Sequence, residues 1–409
     1  MTMKAPDMVY ISGEEMTRVV MEMVLDKWIK PHIDTARWQF FDLSCAKRDE
    51  TDDQVLKDSI KAGAKVGAIF KEPTITPTGE QAKAMGLKKP LGSPNGKMRQ
   101  GWNGYAISRD TIHIPGIKLG YENPVLMDRH AVGGEYGAGY QMVSKGLLQT
   151  KFFPDSGAEP ITVDERKLTD DTSAVVTYHN PYDNITDFGH HFFSRCLEAN
   201  VSPYVVSKRT VFKWQEYYWQ RMKAIFDSEF KTKFNAKKLL ENSGNELRHL
   251  LSDDAAMKLV AWKGGRFGLA CLNYDGDWLS DELAQIHKSP GFISSVLVGK
   301  AADGSKIMEF EASHGTIADQ FQKHNEGKET SVNPLGLVTA LIGAINHSAK
   351  LGEMKAQITI EVMQSLHKFT EKLYAEMTGA MASGNGTRDL SPEKGLTTQG
   401  FIDYVAKKL

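Results

Sequence analysis

Residues 38–77, WQFFDLSCAKRDETDDQVLKDSIKAGAKVGAIFKEPTITP, decide the fold class. The apolar run Trp38–Leu43 predicts a strand, the stretch from about Asp53 to Ala62 a helix, and Val66–Phe70 a second strand that runs into Lys71-Glu72-Pro73-Thr74-Ile75-Thr76-Pro77. Strand, helix and strand at this spacing predict a βαβ unit and therefore a parallel sheet in an α/β protein. Ligands of such sheets bind beyond the carboxyl ends of the strands, which makes Thr74 and Thr76 candidate binding residues.

Upstream, Ser12 and Glu15 have the spacing of a capping box ahead of Met16, Val19, Val20, Met23, Val24 and Trp28, an apolar stripe at helical spacing that Pro31 ends. Downstream, Gly134–Tyr182 changes texture to short β-prone runs (Thr150–Phe153, Pro160–Val163, Ala174–His179), read as a small β-rich insertion. Alternation then resumes with a strand at Tyr204–Val206, a long helix over Phe212–Phe230 and strands at Phe267–Asn273, Ser295–Val298 and Glu309–Ala312. Helices follow at Leu335–Lys350, Gln357–Met377 and Phe401–Leu409.

With 409 residues, 41% of them hydrophobic, the chain is long enough for two or three domains. Lys and Arg number 50 against 51 Asp and Glu, so no global basic field argues for nucleic acid or an anionic membrane surface. Cys45, Cys196 and Cys271 are odd in number and form no CxxC, which fits a reducing compartment. No apolar run approaches transmembrane length, and Met1–Asp7 is neither a secretory nor an Arg/Ser-rich transit segment. A soluble intracellular protein is expected, in the mitochondrial matrix for a eukaryotic source or the cytoplasm for a bacterial one.

Arg99, Arg109 and Arg129 fall in one Gly-rich stretch that opens with Ser93-Pro94-Asn95-Gly96 and closes at Arg129-His130-Ala131. Guanidinium forks bind carboxylates or phosphates bidentately, so the stretch is either an anion site or three solvated arginines. Asn273-Tyr274-Asp275-Gly276-Asp277, then Asp281, with Asp253-Asp254 upstream, supplies hard oxygen donors for a divalent cation, or simply an acid-rich turn and helix start. An anion site next to a cation site suits a substrate with several carboxylates. Lys208 and Tyr136 are the candidates for proton transfer. No GxGxxG follows a strand, so a Rossmann site is unsupported. The stretch Glu311-Ala312-Ser313-His314-Gly315-Thr316-Ile317-Ala318-Asp319-Gln320, a strand running into a Gly-containing turn, with Asn333-Pro334 beyond, is the better cofactor element, although His314 could equally be a core histidine.

Together these motifs, in this order over nearly the whole chain, resemble the homodimeric, eukaryotic-type isocitrate dehydrogenases of the β-decarboxylating dehydrogenase superfamily. The resemblance implies a non-Rossmann isocitrate/isopropylmalate dehydrogenase-like α/β fold. A large α/β domain (1–102 and 291–409), a small α/β domain (103–133 and 182–290) and a β-rich clasp (134–181) are expected. It also implies a homodimer with no nucleic-acid or membrane partner. Ser93, Asn95, Arg99, Arg109 and Arg129, with Thr76, would hold isocitrate. Asp277 and Asp281, with Asp253 from the other subunit, would bind Mg²⁺ or Mn²⁺. Lys71, Thr74, Thr76, Asn95, His314, Gly315, Thr316, Ile317, Asp319, Gln320 and Asn333 would line the cofactor site. Lys208, again from the other subunit, would help remove the hydroxyl proton during hydride transfer, and Tyr136 would protonate the enolate left after CO₂ departs.

Most eukaryotic-type members use NADP and carry a basic Arg-His pair where this chain has Asp319-Gln320. Two like charges about 4 Å apart at an effective dielectric of ~20 cost roughly 4 kcal/mol before screening, enough to reverse a preference. Gln81 and Ala261 replace two further basic positions, so NAD is expected and NADP is the alternative, with Lys258 or Lys323 as substitute phosphate partners. One extra residue between Arg99 and Arg109 loosens the assignment of Arg109, and the clasp is shorter before Tyr182. Rival functions are a dehydrogenase for isopropylmalate, homoisocitrate or tartrate, a metal-dependent phosphate-ester hydrolase, and a silent binding protein.

Overall fold

The computed structural model describes residues 2–409. A ten-stranded sheet contains β1 (Met8–Ser12), β2 (Trp38–Asp42), β3 (Ala68–Lys71), β4 (Gly104–Asp110), β5 (Val125–His130), β6 (Ser202–Val206), β7 (Arg248–Leu250), β8 (Phe267–Cys271), β9 (Ser294–Lys300) and β10 (Lys306–Ala312). Its order is β7-β6-β8-β5-β4-β9-β10-β3-β1-β2. Pairing is parallel from β7 to β5 and again from β10 to β2. The two parallel wings meet through antiparallel pairs at β5–β4, β4–β9 and β9–β10.

The βαβ expectation from residues 38–77 holds: β2 and β3 both lie parallel to β1, and the expected helix between them is Gln54–Val66, preceded by a short helix Cys45–Glu50, so Val66 ends a helix and the strand opens at Ala68. β3 is apolar at Ala68, Ile69 and Phe70, all fully buried, as befits a strand covered on both faces.

Three local expectations are corrected. Ser12 and Glu15 form no capping box, because Ser12 ends β1 and the Glu15–Val24 helix has no side-chain cap. Distant groups take the acids instead: Glu14 accepts from the Cys45 and Ile75 backbone amides, and Glu15 accepts from the Thr316 hydroxyl. The helix expected over Phe212–Phe230 is regular only from Glu216 to Ile225, with a 3-10 turn before it and a widened π turn, Phe226–Phe230, after it. β8 ends at Cys271, and Asn273 already belongs to the Asn273–His287 helix.

Side-chain alternation sorts the central strands. On one face Ile107 and Arg109 of β4 lie beside Arg129 and Met127 of β5, facing the Asn273–His287 helix. On the other, Ser108, Asp110 and Asp128 face the Ile185–Ala199 helix, where Arg195 pairs with both aspartates and His191 Nε2 lies 2.9 Å from Ser108 Oγ. Burial pushes both aspartates above the ordinary carboxyl range while Arg195 draws them back, and burial holds His191 well below its usual value. This clamp ties β4 to β5 from behind. A large apolar cluster surrounds it, including Phe188, Phe192, Phe193, Tyr218, Met222 and Phe226.

Residues Val132–Pro181 form a separate compact unit. Within it Gly139–Val143 pairs antiparallel with Ser173–Thr177, and Gly146–Phe152 with Ile161–Leu168. Tyr140, Leu147, Phe152, Ile161 and Val163 are exposed on these ribbons.

Arg195→Ala would leave Asp110 and Asp128 buried and uncompensated, so the unfolding free energy at pH 7.5 is expected to fall by about 3–5 kcal/mol. Burial already shifts both carboxyls upward, and without Arg195 to draw them back they take up protons more readily, so the deficit relative to wild type shrinks on acidification to pH 5, as denaturant titrations at the two pH values would read.

Candidate active site

Arg129 is the buried centre of the site, with 1% of its surface exposed. It stands near the end of β5, and the Asn273–His287 helix, which leaves β8 next door with Leu272 as the only intervening residue, brings its first turns directly against it. A Cβ at Gly276 would stand 2.7 Å from Arg129 Cβ, so only glycine allows this approach. Arg129 Nε donates to Asn273 Oδ1 at 2.8 Å, and its Nη1 pairs with Asp277.

Arg109, on the same sheet face, donates from Nη1 to Ser280 Oγ at 2.8 Å, and that nitrogen lies 3.7 Å from Asp277 and 3.5 Å from Asp281. Asp277, Ser280 and Asp281 share one helix face by their spacing. Burial, with the neighbouring Asp277 charge, raises the Asp281 carboxyl against the pull of Arg109 and Arg129. Two carboxylates that repel each other, both with hard oxygen donors, fit a divalent cation. Among the described residues no group of three His, Cys, Asp or Glu side chains is placed to hold a metal within this one chain.

Arg99 comes from the Pro94–Gly101 helix, half-buried; burial lowers its pKa while Glu311 raises it. Asn95 and Arg99 line one small cavity with Glu309 and Glu311. Ser93 precedes the helix, exposed, and its hydroxyl makes no cap. Lys71, fully buried at the end of β3, donates to Glu311 on adjacent β10 at 2.6 Å.

The turn from β10 into the Ala318–Asn325 helix carries Ser313 to Ile317. His314 Nδ1 lies 2.8 Å from the Gly315 carbonyl, and burial lowers its pKa. Ile317, β-branched, holds φ 62° and ψ 55°, a left-handed conformation rare for its type. Asp319 and Gln320 follow in the first helical turn, hydrogen-bonded to each other at 3.2 Å. Asn333 is engaged on both sides, donating to Asp389 and accepting from the Leu335 amide, each at 3.0 Å. Thr74 is half-buried and Thr76 exposed on the loop after β3. Gln81 closes a reciprocal capping box with Thr78.

Lys208, in the loop after β6, pairs with Asp253 in the first turn of the Ser252–Ala261 helix that follows β7. The lysine hydrogen bond lowers the Asp253 pKa. Tyr136 lies in the Gly134–Gly137 turn of the Val132–Pro181 unit, half of its surface exposed.

The model of the isocitrate/isopropylmalate dehydrogenase family matches residues 8–405. The chain belongs to that family. It is 55% identical over 408 residues to an isocitrate dehydrogenase [NAD(+)] 1, mitochondrial, of Phaeodactylum tricornutum, covering 99% of this chain and 74% of that protein. A mitochondrial isocitrate dehydrogenase (NAD(+)) of Ostreococcus tauri is likewise 55% identical, over 99% of this chain and 85% of the relative. The crystal structure of an isocitrate dehydrogenase from Ostreococcus tauri in complex with isocitrate and magnesium(II) superposes with a TM-score of 0.95 at 55% identity, covering 100% of each chain. The mixed α/β architecture with a large central sheet is thus that of the isocitrate/isopropylmalate dehydrogenase family.

The sequence pattern holds Asn273 only as part of the acid-rich run, and Ser280 and Glu309 fall outside its site motifs. Asn273 and Ser280 orient Arg129 and Arg109, and their spacing from Asp277 on one helix is the signal for both. Glu309 enters the sequence pattern only as a strand residue and Glu311 only as the head of the cofactor element; their alternation with apolar neighbours on a central strand is the clue to their shared face. Nothing local pointed from Glu15 to Thr316, which lie 301 residues apart.

Gly276→Ala forces the helix and Arg129 apart and is expected to cost about 1–3 kcal/mol of stability, read from thermal or denaturant unfolding. Gly79→Ala is the comparison substitution with little effect, because Gly79 is exposed and an added Cβ would meet nothing within 4 Å.

Proposed function

We propose that this chain is an NAD-dependent isocitrate dehydrogenase, converting isocitrate to 2-oxoglutarate and CO₂ with a divalent metal. The observation that carries the reading is the contact between β4–β5 and the Asn273–His287 helix, where two arginines meet two aspartates. An anion with several carboxylates and a hard cation can enter such a cluster together. The carboxylates take over the guanidinium groups, and the cation takes over Asp277 and Asp281. The names and identities of the relatives support the same substrate and cofactor.

In this reading Arg99, Arg109 and Arg129 fix the substrate carboxylates, assisted by Ser93, Asn95 and Thr76. When bound, the metal polarises the reacting oxygens and NAD accepts the hydride. Lys208 handles the C2 hydroxyl proton. A lysine accepts a proton only as the free amine, so its ion pair with Asp253 must open first. Tyr136 is assigned as the acid that returns a proton to carbon. Lys71, Thr74, Asn95, His314–Ile317, Asp319, Gln320 and Asn333 are assigned to the cofactor.

Asp319 supports NAD over NADP because an exposed carboxylate at the start of a helix accepts hydrogen bonds from ribose hydroxyls and repels a 2′-phosphate. The deciding measurement is kcat/KM with each nucleotide, with isocitrate and Mg²⁺ or Mn²⁺. NAD is expected to be preferred, and a preference for NADP would reject the assignment. The double substitution Asp319→Arg/Gln320→His is expected to move the NADP-to-NAD ratio of kcat/KM upward by about 100-fold, which corresponds to the screened part of that repulsion.

We further propose a homodimer in the mitochondrial matrix, with Lys208 and Asp253 serving the other subunit's site. Support comes from the two-acid donor set of the single chain, the exposed apolar residues of the Val132–Pro181 ribbons and the mitochondrial relatives. No helix among the described residues is long and apolar enough to cross a membrane. Mixing inactive Lys208→Met and Asp277→Asn proteins under exchange conditions should restore activity, since one hybrid site then contains both native residues. No recovery from verified heterodimers would exclude a shared site.

A further inference from the structure

Glu309 carries an acidic side chain in the interior of the sheet, 3% exposed on β10. The strand register sets it in one row with Leu297, Ile107 and Arg129, on the face that holds the arginines. At about 4.8 Å between strands, Glu309 and Arg129 are on the order of 14 Å apart along that row.

The charged groups facing Glu309 are Glu311 on its own strand, Lys71 on β3 and Arg99 on the Pro94–Gly101 helix. Lys71 is committed to Glu311 at 2.6 Å. The remaining cation, Arg99, shares with Glu309 a cavity of about 10 Å³ whose lining also includes Asn95, Met98, Ile107 and Leu297. Glu309 Oε1 and Asn95 Oδ1 are both buried without a hydrogen-bond partner. Two bare acceptors on one small cavity conflict as long as Glu309 is ionised, and a proton on Glu309 turns one of them into a donor. Burial, with the Glu311 charge, favours that form and pushes the Glu309 carboxyl up to about 8.

Building on the isocitrate reading, we propose that Glu309 is a positioning residue beneath Asn95 and Arg99 that takes up a solvent proton when the substrate anion is held there. A bound carboxylate adds negative charge above the cavity and draws on the Arg99 charge that otherwise offsets Glu309, so the protonated form gains. The proton from solvent forms an O–H bond on the carboxylate, and no other bond changes. Neutral Glu309 then leaves Arg99 to the substrate and offers Asn95 a donor. Below the folded pKa the proton is already present and binding takes up little. As pH rises through it, binding must draw a proton from a scarcer supply, so affinity weakens, by at most tenfold per pH unit for one proton.

Calorimetric titration of the intact protein with isocitrate and Mg²⁺ at pH 8, in two buffers of different ionisation enthalpy, reads the uptake directly. The wild type is expected to take up about half a proton per site more than Glu309→Gln, as follows for a group near its midpoint. Glu309→Gln should also flatten the rise of the isocitrate KM between pH 7 and 9 while kcat stays within about twofold, a split that a merely structural defect would not produce. Should that variant not fold, infrared difference spectra of the wild type serve: isocitrate at pH 8 must bring in the C=O band of a protonated carboxyl. Equal uptake by the two proteins, or no such band, overturns the inference alone. No isocitrate binding at all overturns the isocitrate reading and this inference with it.

Discussion

The site depends on one electrostatic constraint: charges buried on a sheet face must be matched where they stand. Arg129 against Asn273 and Asp277, Arg109 against Ser280 and the two aspartates, and Lys71 against Glu311 each answer it locally. Breaking such a pair by removing one member costs far more than the intact pair contributes, so these contacts act as constraints on geometry more than as sources of stability. They also define what can enter. A neutral ligand would strip partners without replacing them, whereas an anion and a cation arriving together replace both.

The sheet makes this arrangement possible by being neither wholly parallel nor wholly antiparallel. Its antiparallel centre brings β4 and β5 side by side, so Arg109 and Arg129, on different strands, stand within two residues of register on one face. The parallel wings deliver loops and helix starts from either side. Behind the same two strands, Arg195 with Asp110 and Asp128 occupies the opposite alternation. One pair of strands therefore carries a ligand-facing set of charges in front and a locked set behind, and the rigid set holds the exchangeable one in register.

Much of this was legible in the sequence, because some of its signals are local. The βαβ unit of residues 38–77 announces itself through period and length, and the arginines and aspartates through residue type and spacing. What was not legible is partnership at a distance. Glu15 sits at a capping-box spacing from Ser12 but goes to Thr316, Glu309 looks like an ordinary strand residue, and Glu311 heads the cofactor element with no sign of its partner until β3 brings Lys71 beside it. The end of β8 was misplaced by two residues for a related reason: Asn273 is recruited into the helix by its role on Arg129. Exchange of NADP-type basic residues for Asp319 and Gln320 is a matter of residue identity at a recognisable turn, which sequence reveals without help from the fold.

Ile317 gives the nucleotide turn a property that composition hides. A β-branched residue held at φ 62° carries on the order of 1–3 kcal/mol of conformational strain, maintained only because its surroundings over-determine it. Glycine at this position would relieve the strain yet widen the set of shapes open to the turn, so its ordering would have to be completed at each encounter with a ligand. The protein instead meets that entropy at folding, once, and the turn spends its lifetime as a preformed mould.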